Sequence, residues 1–403
     1  MASKDKLSEI QTRLLCSIDV SEQLRTEVTV NEVNLTESLL TPGLQTNISV
    51  QSRNSLDFIK NLDEYYNKDV TVFVTRPILE QSGNKADFNT TQRIYRLSNR
   101  ERVNQQYESF TLDACDPTLL KDAQTYVAKS WSCETPSNVV RDILNQCIKP
   151  QNVDIEDALT KRDYIAENIH PFQAITQQSE VALNTSKMDP SFVHFMTYQD
   201  RAGNDIPTHN FRSLTSMALQ EPVFNFVYSG KVSSDLNYAD PKDVLSYSFP
   251  CDFDLLSDIL NGYDESGNQF SALNVINTFS GAASLFGKMD ICGTTSTSAY
   301  TNTGTEDLQN SCNTNVQEYL LKRKARMTLL EQDKIALRLI VPFNPNLNAG
   351  KVINFTAINS GTSKPNYGSG DYLIVNMTHN IKLGGFGLTI LDCVSETVAA
   401  GRV

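Results

Sequence analysis

The chain has 403 residues, 40% of them hydrophobic and 20% charged, the balance of a folded protein built from roughly two to four domains rather than one core. A formal net charge of −12 argues against a broad grip on nucleic acid, because phosphate binding needs clustered Lys and Arg; it reads first as a plain acidic protein and is compatible with a surface that nucleic acid slides past. No apolar run reaches the ~20 residues of a membrane helix, and Met1-Ala2-Ser3-Lys4-Asp5-Lys6 has no apolar segment behind it, so neither a membrane span nor a signal peptide is expected.

The first ~115 residues read as strands. Asn47-Ile48-Ser49-Val50 follows a turn at Thr41-Pro42-Gly43. Val70, Val72 and Val74 alternate with Thr71 and Phe73, and Arg93 to Cys115 reads as two strands about a polar turn near Asn104-Gln105-Gln106. The pattern then turns helical. Asp116-Pro117 is a cap followed by proline at the first helical position, and Leu119, Leu120, Ala123, Val127 and Trp131 give one stripe. Thr135-Pro136 repeats the signal ahead of Val139, Val140, Ile143, Leu144, Cys147 and Ile148. A third helix is expected from Pro171 to Leu183, a strand from Phe192 to Tyr198, and a turn over Arg201-Ala202-Gly203-Asn204-Asp205.

Pro222 to Tyr228 predicts a further strand and Asp252 to Leu260 a short helix. Residues 279–314, rich in Gly, Ser, Thr and Asn, predict a long loop. Val316 to Asp333 predicts a helix with a basic face, and Ile335, Leu337, Leu339 and Val341 a period-2 strand ended by Pro342. After a turn over Asn344–Gly350, the last strands are Val352–Ile358, Tyr372–Met377 and Gly387–Val394.

Two stretches of the chain resemble each other. Tyr95, Leu97, Val103, Phe110, Thr111, Leu112 and Cys115 match Leu373, Val375, Ile381, Leu388, Thr389, Ile390 and Cys393 at a constant offset of 278. Upstream, Asp69-Val70-Thr71-Val72-Phe73 matches Lys351-Val352-Ile353-Asn354-Phe355. Any two amphipathic hairpins align in this way; the additional upstream strand favours a duplication. The fold class expected is a β-rich α+β protein with two similar antiparallel β-barrels and α/β insertions. The first barrel takes residues 1–115, an α+β domain 116–215, the second barrel 216–245 with 333–403, and an insertion 246–332. Equivalent positions should then be Phe110 with Leu388, Leu112 with Ile390 and Cys115 with Cys393, in two separate sheets.

The chemistry-bearing residues do not assemble into a site. His170, His194, His209 and His379 are scattered, outside any H-E-x-x-H or nucleophile-elbow pattern, and each is expected to be structural. Asp264-Glu265-Ser266-Gly267-Asn268 lacks the ligand spacing of a calcium loop and reads as a turn. Gly384-Gly385-Phe386-Gly387 has no helix after it and reads as a hairpin connection, not a phosphate loop. Lys322, Arg323, Lys324 and Arg326 read as a solvated helix face, with a subunit or partner contact as the alternative. The eight cysteines, Cys16, Cys115, Cys133, Cys147, Cys251, Cys292, Cys312 and Cys393, have long irregular spacings and are expected as reduced thiols. No catalytic, cofactor-binding or metal-ligating residue is assigned.

The tail segments NPNLNAGKVINF and GDYLIVNMTHNIKLGGFGLTILDCV, with TLLKDAQTYVAKSW and PSNVVRDILNQCI, resemble the central baseplate hub family of contractile-tailed, T-even-like phages. The resemblance extends more distantly to gpD-type late control proteins and the hub part of VgrG-type secretion spikes. It implies a structural, non-enzymatic homotrimer in which each chain supplies two tube-like β-barrels, so that three chains make a six-unit ring. Such a ring adapts the hexameric tail tube on one face to a trimeric cell-puncturing spike on the other. The partners implied are further copies of this chain, the tail tube protein, the spike protein and other baseplate proteins. No membrane or stable nucleic-acid partner and no cofactor is implied. The implied location is the virion tail baseplate, after assembly in the host cytoplasm. A tail-associated enzyme that degrades the cell envelope, or a receptor-binding tail module, is the alternative.

Overall fold

The structure, a computed structural model, describes residues 15–19, 28–52, 68–76, 79, 85–103, 107–186, 188–228, 242–250, 275–276, 300–301, 312, 323, 326–327, 329–330, 335–358, 368–382 and 386–395. Its first part is a run of strands: β1 (Leu15–Asp19), β2 (Val28–Ser38), β3 (Gln45–Ser52), β4 (Asp69–Thr75), β5 (Asp87–Arg102) and β6 (Glu108–Cys115). Alternation decides which face of each is buried. In β4, Val70, Val72 and Val74 enter the core while Phe73 stays 38% exposed. Each buried valine contributes ~1.5–3 kcal/mol of transfer free energy. They pack with Ile48, Val50, Phe88, Ile94, Phe110 and Leu112 into one core. The ladder runs β1–β4–β5–β6–β3–β2, every pair antiparallel.

The middle part holds α1 (Pro117–Gln124), β7 (Val127–Glu134), α2 (Pro136–Ile143) continued by a π-helical turn at Leu144–Ile148, β8 (Asn152–Ile155), β9 (Arg162–Ile169), α3 (Pro171–Val181), β10 (Phe192–Thr197) and β11 (Thr208–Ser213). Asp116 caps α1 by accepting from the Thr118 N–H at 2.8 Å, and Thr135 caps α2 by accepting from the Asn138 N–H at 3.3 Å. The first helical stripe is shorter than expected. Val127 and Trp131 lie on β7, paired antiparallel with β9, because the helix stops at Thr125 and Thr125-Tyr126-Val127 favours extended backbone. α2, α3 and the strands close over a core of their own, with Val140, Ile143, Ile175, Phe192 and Phe211 at its centre.

The remainder contains α4 (Leu214–Ala218), β12 (Phe224–Tyr228), β13 (Ser246–Ser248), β14 (Val275–Ile276), β15 (Tyr300–Thr301), β16 (Leu337–Pro342), β17 (Val352–Ala357), β18 (Gly370–Lys382) and β19 (Phe386–Val394). Leu337, Leu339 and Val341 of β16 face a third core with Phe226, Phe355, Ile374 and Leu391. β14 pairs only with β15 among the described residues. In the expected helix Val316–Asp333, Arg323, Arg326 and Met327 are helical and the rest lies outside the described residues apart from a turn at Leu329-Leu330. The expected helix Asp252–Leu260, the turn at Asp264–Asn268 and nearly all of the loop 279–314 also lie outside them.

Compared pair by pair, the two strand sets share one ladder order. β4–β5–β6–β3–β2 corresponds to β17–β18–β19–β16–β13, antiparallel throughout. The register agrees as well. The Ile94 N–H donates to the Lys68 carbonyl and the Ile374 N–H to the Lys351 carbonyl, both at 2.9 Å. A bulge follows each, at Tyr95 between Ile94 and Arg96, and at Val375 between Ile374 and Asn376. Beyond it, Leu97 faces Leu112 and Met377 faces Leu391. This correspondence corrects the gapless offset. Leu112 matches Leu391, not Ile390; Ala114 matches Cys393, which Cys115 does not; and Phe110 matches Thr389, not Leu388. Phe110 and Leu112 point into their core, whereas Leu388 and Ile390 lie half-buried on the opposite face of β19. A one-residue slip turns every side chain to the other face of a strand.

Separate sheets were expected, and here too the structure differs. β2 pairs with β18, Glu32 facing Lys382 through to Ser38 facing Asn376, which joins both sets into one 12-stranded sheet. The cause is the length of β18. β17 covers only Gly370–Leu373, so Asn376–Lys382 presents an edge that β2 fills. The two cores stay distinct on either side of this seam. Among the described residues the sheet is not closed by hydrogen bonds into barrels; β1 and β13 end the path.

Candidate functional site

The seam between the two strand sets is where the chain's parts are locked together, and Glu37 is at its centre. Val33, Leu35 and Glu37 share the inward face of β2 and Leu39, just past its end, is buried too, which places a carboxylate among apolar residues. Glu37 is fully buried. It accepts from the Tyr198 N–H at 2.6 Å, from the Ala349 N–H at 2.7 Å and from Asn348 Nδ2 at 3.1 Å. One side chain therefore ties β2 to the end of β10 and to the turn before β17. Burial is the dominant influence on its acidity and raises its pKa from 4.5 to about 7, against the three hydrogen bonds and the nearby Lys351 charge, which pull the other way. Sequence reasoning missed Glu37; its signal was a charge on an otherwise apolar period-2 face.

Neighbouring contacts extend the lock. The Arg76 guanidinium donates to the Phe343 carbonyl at 2.7 Å, and Asn346 Nδ2 to the Lys85 carbonyl at 3.0 Å. Lys85 Nζ reaches the Gly203 carbonyl at 2.9 Å and pairs with Asp205. Gly350, at φ +81°, allows the close approach of Phe195, whose ring a Cβ would meet at 2.9 Å. Leu39, Phe195, Met217, Val352, Leu373 and Val375 fill the apolar part of the junction.

The residues singled out from the sequence go elsewhere. His194 on β10 and His209 on β11 are diagonal neighbours, His194 facing Phe211 and His209 facing Met196, with Nε2 and Nδ1 3.1 Å apart and both rings packed on Phe172. Burial lowers the pKa of His194 to about 3 and that of His209 well below its usual value, with the His194 charge adding to the latter. His379 Nδ1 meets Thr389 Oγ1 at 2.8 Å, also buried, and its pKa falls to about 3 for the same reason. His170 stands at the start of α3, where Nδ1 lies 3.0 Å from the Asp122 carbonyl. These four are not brought together into one site. Among the described residues no group of three or more His, Cys, Asp or Glu could hold a metal, and no helix is long and apolar enough to cross a membrane. Gly387 lies within a hairpin, since Lys382 faces Phe386 across β18 and β19.

Two expectations are corrected. Arg323 and Arg326 do not form a solvated face. The Arg323 guanidinium donates to the Pro190 and Phe192 carbonyls at 2.7 and 3.0 Å and to Ser179 Oγ at 3.2 Å, and Arg326 lies 3.3 Å from Asp189. A planar guanidinium can donate to several carbonyls at once, and those at the entry to β10 draw the cation inward. Lys322 and Lys324 lie outside the described residues. The thiols are not all reduced: Cys133 is bonded to Cys312, with Cα atoms 5.1 Å apart. Cys115, Cys147 and Cys393 are free. At the surface, Trp131 donates to Asp142 at 2.8 Å and stacks on Tyr164, beside the exposed Ile165.

With this architecture in place, the chain can be set beside solved structures. It matches a tail protein from Neisseria meningitidis MC58 with TM-score 0.55 and 9% identity, over 96% of this chain and 98% of that one. The chain has the fold of phage tail proteins. The 43 kDa tail protein of prophage MuSo2 from Shewanella oneidensis matches with TM-score 0.51 and 10% identity, over 96% of this chain and 98% of that tail protein. No protein-family model and no curated protein matches the chain. The tail-protein fold agrees with the β-rich architecture expected from the sequence.

Proposed function

We propose that the chain is a structural component of a phage-type tail: a baseplate hub that assembles as a homotrimer and adapts a six-fold tube to a three-fold spike. The observation that carries this is the pair of register-matched ladders joined edge to edge by β2 and β18. A chain with two equivalent units offers six of them in a trimer, which reconciles the two symmetries. The fold shared with tail proteins from Neisseria and Shewanella supports the same reading. The four-part division at residues 115, 215, 245 and 332 belongs to this proposal, as do the tube, spike and neighbouring baseplate partners and a place in the tail. The protein then works by shape and closure rather than by chemistry, and its acidic character keeps passing nucleic acid from being retained.

Native mass spectrometry of the full chain tests the reading. A particle of three times the 45.0 kDa chain mass is expected. A stable dimer or hexamer as the sole assembly overturns it. A cell-envelope hydrolysis assay addresses the alternative: turnover by the purified chain would establish a degrading enzyme.

A further inference from the structure

The sheet β10–β11–β8 has two unlike faces. Phe192 and Phe211 enter the middle core, whereas Phe195, Asn210, Arg212 and Asp154 share the opposite face of the three strands. That face lines a cavity of about 310 Å³ together with the segment 220–223 and the turn before β17. Asn348, which donates to Glu37, lines it as well. The Arg212 side chain is only 9% exposed, and its guanidinium makes no hydrogen bond to any described residue. Asp154 Oδ2 lies 3.9 Å from Arg212 Nε, too far for a hydrogen bond, and this oxygen has no hydrogen-bond partner among the described residues either. Gln199 Oε1 and Asn348 Oδ1, on two further lining residues, are in the same state. Burying a polar group without a hydrogen bond is unfavourable, and burying a charge in that way more so.

We propose that this cavity binds a free α-amino acid, its carboxylate accepting from Arg212 and its ammonium donating to Asp154. A guanidinium and a carboxylate 3.9 Å apart, each with hydrogen bonds unmade, match a ligand whose opposite charges are one carbon apart. The lining is balanced in charge. Arg201, Arg212 and Lys351 stand against Asp154, Asp200 and Glu221, so a neutral zwitterion enters where a simple anion meets as much repulsion as attraction. Burial pushes the Arg212 pKa down, with Asp154 opposing, and a bound carboxylate offsets that burial. The volume equals that of about ten waters at ~30 Å³ each, room for an amino acid of ordinary size. Phe195 and Val223 offer apolar surface to the ligand's side chain. Bound there, the ligand ties the middle part to the turn that Glu37 also holds. The inference does not depend on the trimer reading.

The test is calorimetric titration of the full chain with glycine, L-alanine, L-glutamine and L-phenylalanine, and with acetate and methylammonium, which carry one of the two charges each. At least one amino acid should bind, and acetate and methylammonium should bind about tenfold more weakly or less. Arg212→Gln and Asp154→Asn should each weaken that binding by about tenfold, the effect of losing one hydrogen bond to a charged group. Acetate binding as tightly as every amino acid overturns the zwitterion assignment. Binding that both variants retain in full lies elsewhere and overturns the site. Absence of binding by all four amino acids at millimolar concentration leaves ordered water as the content of the cavity and overturns the proposal. If Arg212→Gln does not fold, Asp154→Asn and the comparison of amino acids with the two single-charge probes on the unaltered protein still decide.

Discussion

Glu37 offers a prediction whose size can be worked from its surroundings. Its pKa rises from 4.5 to about 7 on folding, chiefly because burial disfavours the carboxylate. The folded state therefore holds a proton that the unfolded chain has given up between those two values. Stability from this group is fully present below pH 4.5 and is lost as the pH rises through about 7. At ~1.4 kcal/mol per tenfold in proton affinity, the loss is about 3 kcal/mol. Glu37→Gln keeps the shape and carries no charge, so the variant lacks this pH dependence. Urea unfolding of both proteins at pH 4 and pH 8.5 should show the wild type losing about 3 kcal/mol more than the variant across that interval. Parallel behaviour of the two, with equal losses, would refute a buried titrating carboxyl at the seam.

Leu391→Ala should cost about 2–5 kcal/mol and Leu388→Ala under ~1 kcal/mol, because only the first lies in the core; equal costs in denaturant unfolding would contradict the register correspondence. Arg323→Ala strips donors from the Pro190 and Phe192 carbonyls and should destabilise by about 2–4 kcal/mol; a shift below ~0.5 kcal/mol in the same assay would return the side chain to solvent. Reduction of Cys133–Cys312, which spans 179 residues, should lower stability by up to about 5 kcal/mol on the chain-entropy view. The linked peptides should appear in a non-reducing digest; unlinked peptides together with an unchanged melting temperature would remove the disulfide from the account.

What the sequence made legible was local and periodic. β4, the β5–β6 hairpin, β16 and the capped α2 each carry their own pattern, and the structure places them accordingly. Val127 was misread because it stands at helical spacing from Ala123, and one apolar residue fits either period. The duplication was visible but misaligned. β19 is apolar on both faces, so Leu388 and Ile390 match Phe110 and Leu112 in hydropathy as well as Thr389 and Leu391 do, and nothing in hydropathy marks a bulge. The joining of β2 to β18, the inward turn of Arg323 and the Cys133–Cys312 bond connect residues far apart in the chain, which local patterns do not encode. Glu37 was open to detection, since a charge following Val33 and Leu35 on one strand face requires partners.

Cryo-electron microscopy of the purified assembly, viewed down its axis, tests the central claim most directly. Three chains should form a ring of six similar lobes about an open channel, the two lobes of each chain about 60° apart, since six units close a ring at that angle. A particle with two-fold symmetry, or a three-fold particle whose two strand sets lie at different radii, would contradict the hub.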